Sequence, residues 1–197
     1  QLGIAASVAI YATFDDGLTW DFATSGVGPY TQAAYDDDHK VWVVAANDRH
    51  AYSYDLFTWT SVAEPGLNNR DIDYYDNLWI YAGTTLRYAT SVTVAATSIT
   101  LTQNLYAVTH GFPGGTLLWV AVGTNSGVSG SIIISSPTGT VWTQRLYDAT
   151  YGKGLRSVTW IGGKFVAFGG GGGALEGARA EDAGDLGDAV AAGFEEL

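Results

Sequence analysis

The chain has 197 residues, 47% of them hydrophobic and 13% aromatic but only 15% charged, and 26 are glycine. That length fits one main domain with a sizeable core, and the composition excludes a disordered chain, a coiled coil and a helix bundle. The formal charge of −11 argues against general binding to nucleic-acid phosphates, and the absence of Cys excludes disulfide scaffolds, thiolate metal sites and cysteine nucleophiles. A chain without Met that starts at Gln1 reads as a processed product or as a piece of a longer polypeptide. No apolar run approaches the roughly 18 to 20 residues of a membrane span, and the first residues lack the basic stretch of a signal peptide, so a soluble protein without membrane insertion is expected.

In chain order, a hairpin is predicted around residues 8–22, with Thr13-Phe14-Asp15-Asp16-Gly17-Leu18-Thr19-Trp20 as a turn leading into a Trp. Residues 32–35, the turn Asp36-Asp37-Asp38 and the apolar run 41–46 form a second hairpin. Ser53-Tyr54-Asp55-Leu56-Phe57-Thr58-Trp59 repeats the first turn, and residues 72–75, Asp76-Asn77 and 78–83 repeat the second hairpin. Leu101-Thr102-Gln103 reads like Trp142-Thr143-Gln144, which places Leu101 at the Trp position of a weaker third turn. Residues 106–109 and 118–123 flank a Gly/Pro-rich stretch, Ser135-Ser136-Pro137-Thr138-Gly139-Thr140-Val141-Trp142 is the fourth turn, and 157–161, Gly162-Gly163 and 164–169 form the last hairpin.

The Trp-equivalent positions are 39, 42 and 41 residues apart. Four short strands in a period near 40 mark a β-propeller blade. Four outer and four inner hairpins predict an all-β, four-bladed propeller over residues 1–168, closed by pairing of the N-terminal and C-terminal hairpins. Closure protects edge strands that otherwise invite aggregation. A segment of a larger propeller and a β-sandwich are the competing folds.

The pattern Thr13-x-Asp15-x-Gly17-x-x-Trp20 resembles the Asp-box, or bacterial neuraminidase repeat. The second copy keeps Ser53, Asp55 and Trp59 but lacks one residue and the Gly; the fourth keeps Ser135, Gly139 and Trp142, with Pro137 at the Asp position. The resemblance covers roughly residues 1–170. It implies a structural turn in which Asp caps backbone N–H groups, Gly takes positive φ and Trp packs between blades. The style of the repeat is also similar to bacteriophage tail and other virion proteins and to bacterial surface adhesins. It implies a virion or extracellular surface protein.

On a propeller, the turns of the box and the first-to-second strand turns share one face. That face is expected to hold Asp15, Asp16, Asp36, Asp37, Asp38, Asp55 and Asp76 against Lys40 and Lys164. The opposite face is expected to hold Asp48, Glu64, Asp71 and Asp148 against Arg49, Arg70, Arg87, Lys153 and Arg156. Guanidinium forks read planar anions, and Tyr stacks on sugar rings. Arg49, Arg70, Arg87, Arg156, His50, Tyr30 and Tyr151 are thus the candidate site for a host-surface glycan. Solvated arginines paired with Asp48 and Asp71 are the plainer reading.

A sialidase would need an arginine cluster, a Tyr with a Glu partner and an Asp acid, but Glu64 is the one Glu before the tail. The lead expectation is therefore a non-enzymatic virion subunit. A sialidase-superfamily hydrolase and a protein-binding propeller scaffold are the alternatives. No metal or cofactor is expected: Asp36-Asp37-Asp38 lacks the alternating Ca²⁺-loop spacing, and His39, His50 and His110 lack His-x-x-x-His spacing. Gly162-Gly163-Lys164 lacks the remainder of a phosphate loop, and no Gly-x-Ser-x-Gly elbow occurs.

Residues 169–173 are read as a glycine linker, and 174–197 as an acidic tail with seven acids and one Arg. A short helix over 185–197 would have Asp185 as N-cap and an apolar stripe of Leu186, Val190, Phe194 and Leu197. Such a helix would dock onto the propeller or onto another subunit of a virion or surface assembly; a flexible acidic terminus is the other reading.

Overall fold

A computed structural model describes residues 3–6, 9–25, 29–101, 103–125, 130–148 and 154–169. The glycine linker beyond Gly169, the acidic tail and Tyr151 lie outside the described residues. The chain forms two compact units, Gln1–Ser98 and Ile99–Leu197.

In the first unit, β1 (Gly3–Ala6), β2 (Ala9–Thr13) and β3 (Asp21–Ser25) form a three-stranded antiparallel sheet. The next sheet has its strands in chain order: β4 (Tyr30–Asp36), β5 (Val41–Ser53), β6 (Thr60–Tyr75), β7 (Leu78–Gly83), β8 (Leu86–Ala89) and β9 (Thr97–Ile99). β5 and β6 each serve two neighbours. Residues 41–46 of β5 pair with β4 and residues 49–52 with β6, the change falling at Asp48, whose φ is +59°. β6 pairs with β5 through 60–63 and with β7 through 69–75. In the second unit, β10 (Gln103–Gly111), β11 (Leu118–Asn125), β12 (Ser131–Ser136) and β13 (Thr143–Asp148) form a four-stranded meander, and β14 (Leu155–Ile161) pairs with β15 (Lys164–Gly169).

The repeat is visible in the register. All four inner hairpins, β4–β5, β6–β7, β10–β11 and β14–β15, carry the same one-residue bulge, at Thr31, Arg70, Tyr106 and Arg156. Each also sets an aromatic pair at the same cross-strand position: Tyr35 with Trp42, Tyr74 with Trp79, His110 with Trp119, and Trp160 with Phe165. Such pairs are the units of sheet stability. The small residue that ends the apolar strand has a steric cause. A Cβ at Gly83 would overlap the Asn68 carbonyl, and one at Gly123 would overlap that of Asn104, because the bulge pushes that carbonyl across the strand.

Packing follows the strand period of two. Val41, Val43 and Ala45 of β5 pack with Ile72, Trp79, Tyr81, Ala89 and Val92. The alternate residues Val44 and Ala46 pack with Ile10, Tyr30 and Ala51. β5 is therefore buried on both faces, which is why 41–46 reads as an unbroken apolar run. The second unit repeats the arrangement, with Val120, Val122 and Ile133 against Leu155, Val158, Phe165 and Ala167. Central strands buried on both faces and a recurring bulged hairpin fit the blades of a β-propeller.

Candidate functional site

The turns after the outer strands are built from side-chain caps. In the first, the Gly17 N–H donates to Thr13 Oγ1 (2.9 Å), and Asp15 accepts from the Thr13 hydroxyl (2.9 Å), the Thr19 N–H (2.9 Å) and the Thr19 hydroxyl (2.6 Å). Gly17 has φ +89°. In the second, the Leu56 N–H donates to Ser53 Oγ (2.9 Å), and Asp55 accepts from the N–H groups of Phe57 (2.9 Å) and Thr58 (2.6 Å). Leu56, with φ +68°, occupies the place of Gly17. These bonds hold both carboxyls at about 2: the Thr19 hydroxyl and N–H do so for Asp15, the N–H groups of Thr58 and Phe57 for Asp55.

The fourth turn corrects the expected alignment. Its cap is Ser136, not Ser135: the Gly139 N–H donates to Ser136 Oγ (2.8 Å), and Thr138 Oγ1 accepts from the N–H groups of Thr140 (3.4 Å) and Val141 (3.4 Å), as Asp55 does in the second turn. Ser135 Oγ instead accepts from Arg145 Nε at 2.7 Å. The Trp indoles close both turns in one way, Trp59 Nε1 donating to the Leu56 carbonyl (2.9 Å) and Trp142 Nε1 to the Gly139 carbonyl (2.8 Å).

The third turn departs furthest. Trp119 pairs with Ser136 and Trp79 with Ala89, so Ala89 stands at the Ser136 position and Val92 at that of Gly139. Counting on, Ala95 and not Leu101 stands where Trp142 does. The Val92 carbonyl still needs a donor, and His50 Nε2 supplies it at 2.8 Å. The Ala96 N–H is in turn held by Glu64 Oε1 at 3.0 Å.

Two members of the expected arginine face are therefore interior groups. His50 and Arg87 are fully buried, as is the Glu64 side chain. Glu64 pairs with Arg87 Nη1 at 2.6 Å and His50 Nδ1 at 3.1 Å, and accepts from Asn69 Nδ2 at 3.0 Å; Asn69 Oδ1 accepts from Arg87 Nη2. Burial opposes the Glu64 charge, but the His50 hydrogen bond, the Ala96 N–H and the Arg87 charge outweigh it and hold the carboxyl at about 2. The two ring nitrogens of His50 thus face two different groups, Nδ1 the Glu64 carboxyl and Nε2 the Val92 carbonyl. Burial also pushes the phenol of Tyr81, stacked beside His50 and Arg87, strongly upward. The sequence treats 49–50 and 87 as loop residues, whereas both lie on strands, β5 and β8, that start directly after short turns.

Of the other candidates, Tyr30 is buried in the core with its phenol pushed up by burial. Arg49 and Arg70 are half-buried in the first unit. Arg156 is exposed in the second unit, its guanidinium 3.8 Å from the centroid of Tyr106, a ring that sequence reasoning missed. The shared bulge position is the signal that links the two.

An unexpected surface lies on the first two turns. Phe14 and Phe57 stack at 5.4 Å with an interplanar angle of 12°, yet are 45% and 56% exposed. Leu18 and Tyr54, also exposed, occupy neighbouring positions of these turns. Among the described residues, no His, Cys, Asp and Glu group could hold a metal ion, and no helix is long and apolar enough to cross a membrane.

The fold defines the chain as a β-propeller protein. It is similar to YCF48, in a structure described as bound to D1 peptide, with 16% identity, a TM-score of 0.61 and coverage of 87% of this chain and 58% of that one. It is similar to a chain of the nidogen/laminin complex (14% identity, TM-score 0.62, 86% and 70% covered) and to the WD40 propeller domain of Doa1 (9% identity, TM-score 0.56, 85% and 57% covered). The chain thus spans under two thirds of the length of the YCF48 and Doa1 chains. No family description and no curated protein matches it.

Proposed function

We propose that the chain is a non-enzymatic, protein-binding propeller module whose recognition surface is the aromatic face of its first two turns. The exposed Phe14–Phe57 stack carries this reading. Contiguous exposed apolar surface on a soluble fold marks sites of association. The turn itself does not require these rings: the fourth turn has the same caps with Pro137 at the position of Phe14 and Tyr54, and Thr140 at that of Leu18 and Phe57. The D1 peptide bound to YCF48 and the laminin in complex with nidogen support the same class of function. The caps of Thr13, Asp15 and Gly17, and of Ser53 and Asp55, support reading these turns as Asp-box turns. A hydrolytic role is disfavoured because Glu64 is enclosed in ion pairs.

A second reading, a virion or cell-surface subunit that binds host-surface glycan, is favoured by the exposed Arg156 seated over the half-buried Tyr106 ring. Parallel screening of a displayed random-peptide library and a glycan array separates the two. The first reading expects peptides whose binding is lost in the Phe14→Ser/Phe57→Thr variant. Glycan binding that survives in that variant, with no peptide selected, overturns it.

A further inference from the structure

The two turns that carry the aromatic stack also carry Asp15, Asp16 and Asp55, and neither 13–20 nor 53–59 contains a Lys, Arg or His. Asp16 and Asp55 are exposed, each two positions from a ring of the stack, Phe14 and Phe57 respectively. The fourth turn again provides the control. Thr138 replaces the acid there and caps the same N–H groups, so the turn folds without a carboxylate. Aromatic faces bordered by carboxylates are complementary to a group that is both cationic and flat. A guanidinium meets both requirements, stacking on a ring face while its N–H edge reaches a carboxylate.

Building on the protein-binding reading, we infer that the occupant of this face is a basic polypeptide segment of a partner protein, with arginine side chains seated on the Phe14–Phe57 stack and attracted by the acids of the same two turns. Charge excludes the nearer alternatives. The chain's own residues 174–197 contain seven acids and one Arg, and a second copy of the face presents the same carboxylates, so both would meet it with like charge. Asp15 and Asp55 keep their charge down to strongly acidic pH.

The test uses the full chain and fluorescein-labelled synthetic peptides that alternate Arg with Leu, alongside the same peptides with citrulline or Glu in place of Arg. Fluorescence anisotropy should give the tightest binding for the Arg peptide, weakened roughly two- to fivefold per citrulline, and further weakened as salt rises from about 50 to about 300 mM. Asp16→Asn with Asp55→Thr, both compatible with the turn, should weaken the Arg peptide towards the citrulline value and leave the citrulline peptide unchanged. Phe57→Thr should abolish both. Equal, salt-insensitive binding of Arg and citrulline peptides that is lost in Phe57→Thr overturns the basic partner but leaves protein binding standing. Failure of every peptide, with unchanged circular dichroism of all variants, overturns both.

Discussion

A single carbonyl shows how the chain handles a missing residue. Leu56, Val92 and Gly139 hold equivalent places in three turns, and each carbonyl accepts one ring N–H, from Trp59, His50 and Trp142 respectively. Where Trp is replaced by Ala95, the donor comes from another strand, and His50 is fixed there by Glu64 and Arg87. A buried charge of this kind is tolerated only when paired and hydrogen-bonded. Its acid response follows. The Glu64 carboxyl, ordinarily near 4.5, is held at about 2 in the fold, so between those values the folded chain binds fewer protons than the unfolded one. The stability Glu64 contributes is complete above about pH 4.5 and lost as pH falls towards 2. Thermal unfolding followed from pH 7 to pH 2 should fall more gently over that window in Glu64→Gln than in the parent chain; identical slopes would contradict the assignment. None of this was legible in the sequence, where Glu64, His50 and Arg87 are far apart and read as loop charges.

At the scale of elements, the reading of residues succeeded where pattern and sterics coincide. The apolar runs 41–46, 78–83, 118–123 and 164–169 are all strands, and the two-residue turns Asp76-Asn77 and Gly162-Gly163 take the left-handed conformation that a tight hairpin demands. It slipped where the side chain, not the pattern, sets the register. Ser135 and Ser136 are adjacent hydroxyls, and matching Thr13-x-Asp15-x-Gly17 by spacing selects Ser135, because the first turn is one residue longer than the second and fourth. Backbone geometry selects Ser136. Removing its hydroxyl leaves the Gly139 N–H without its partner, so Ser136→Ala should cost about 1–3 kcal/mol in urea unfolding. Ser135→Ala, which releases only the exposed Arg145, should cost about 0.5–1 kcal/mol. The reverse order would restore the spacing-based alignment.

At the scale of the whole molecule, low charge and abundant glycine and aromatic residues follow from sheets buried on both faces and joined by tight turns. The net charge of −11 gains a local meaning, because some of it is carried by the same two turns as the exposed rings. The sequence placed the interesting surface among the arginines, since loop arginines are the usual anion readers. Exposure of Phe14 and Phe57 is not visible in a composition that already holds 13% aromatic residues, most of which a propeller is expected to bury. The central claim is that partner recognition occurs on this face. It is tested most directly by titrating the isotopically labelled full chain with the Arg–Leu peptide and following backbone amide shifts. The account predicts perturbations concentrated in residues 13–20 and 53–59. Shifts concentrated instead around Arg49, Arg70 and Arg156, with those two turns unmoved, would contradict it.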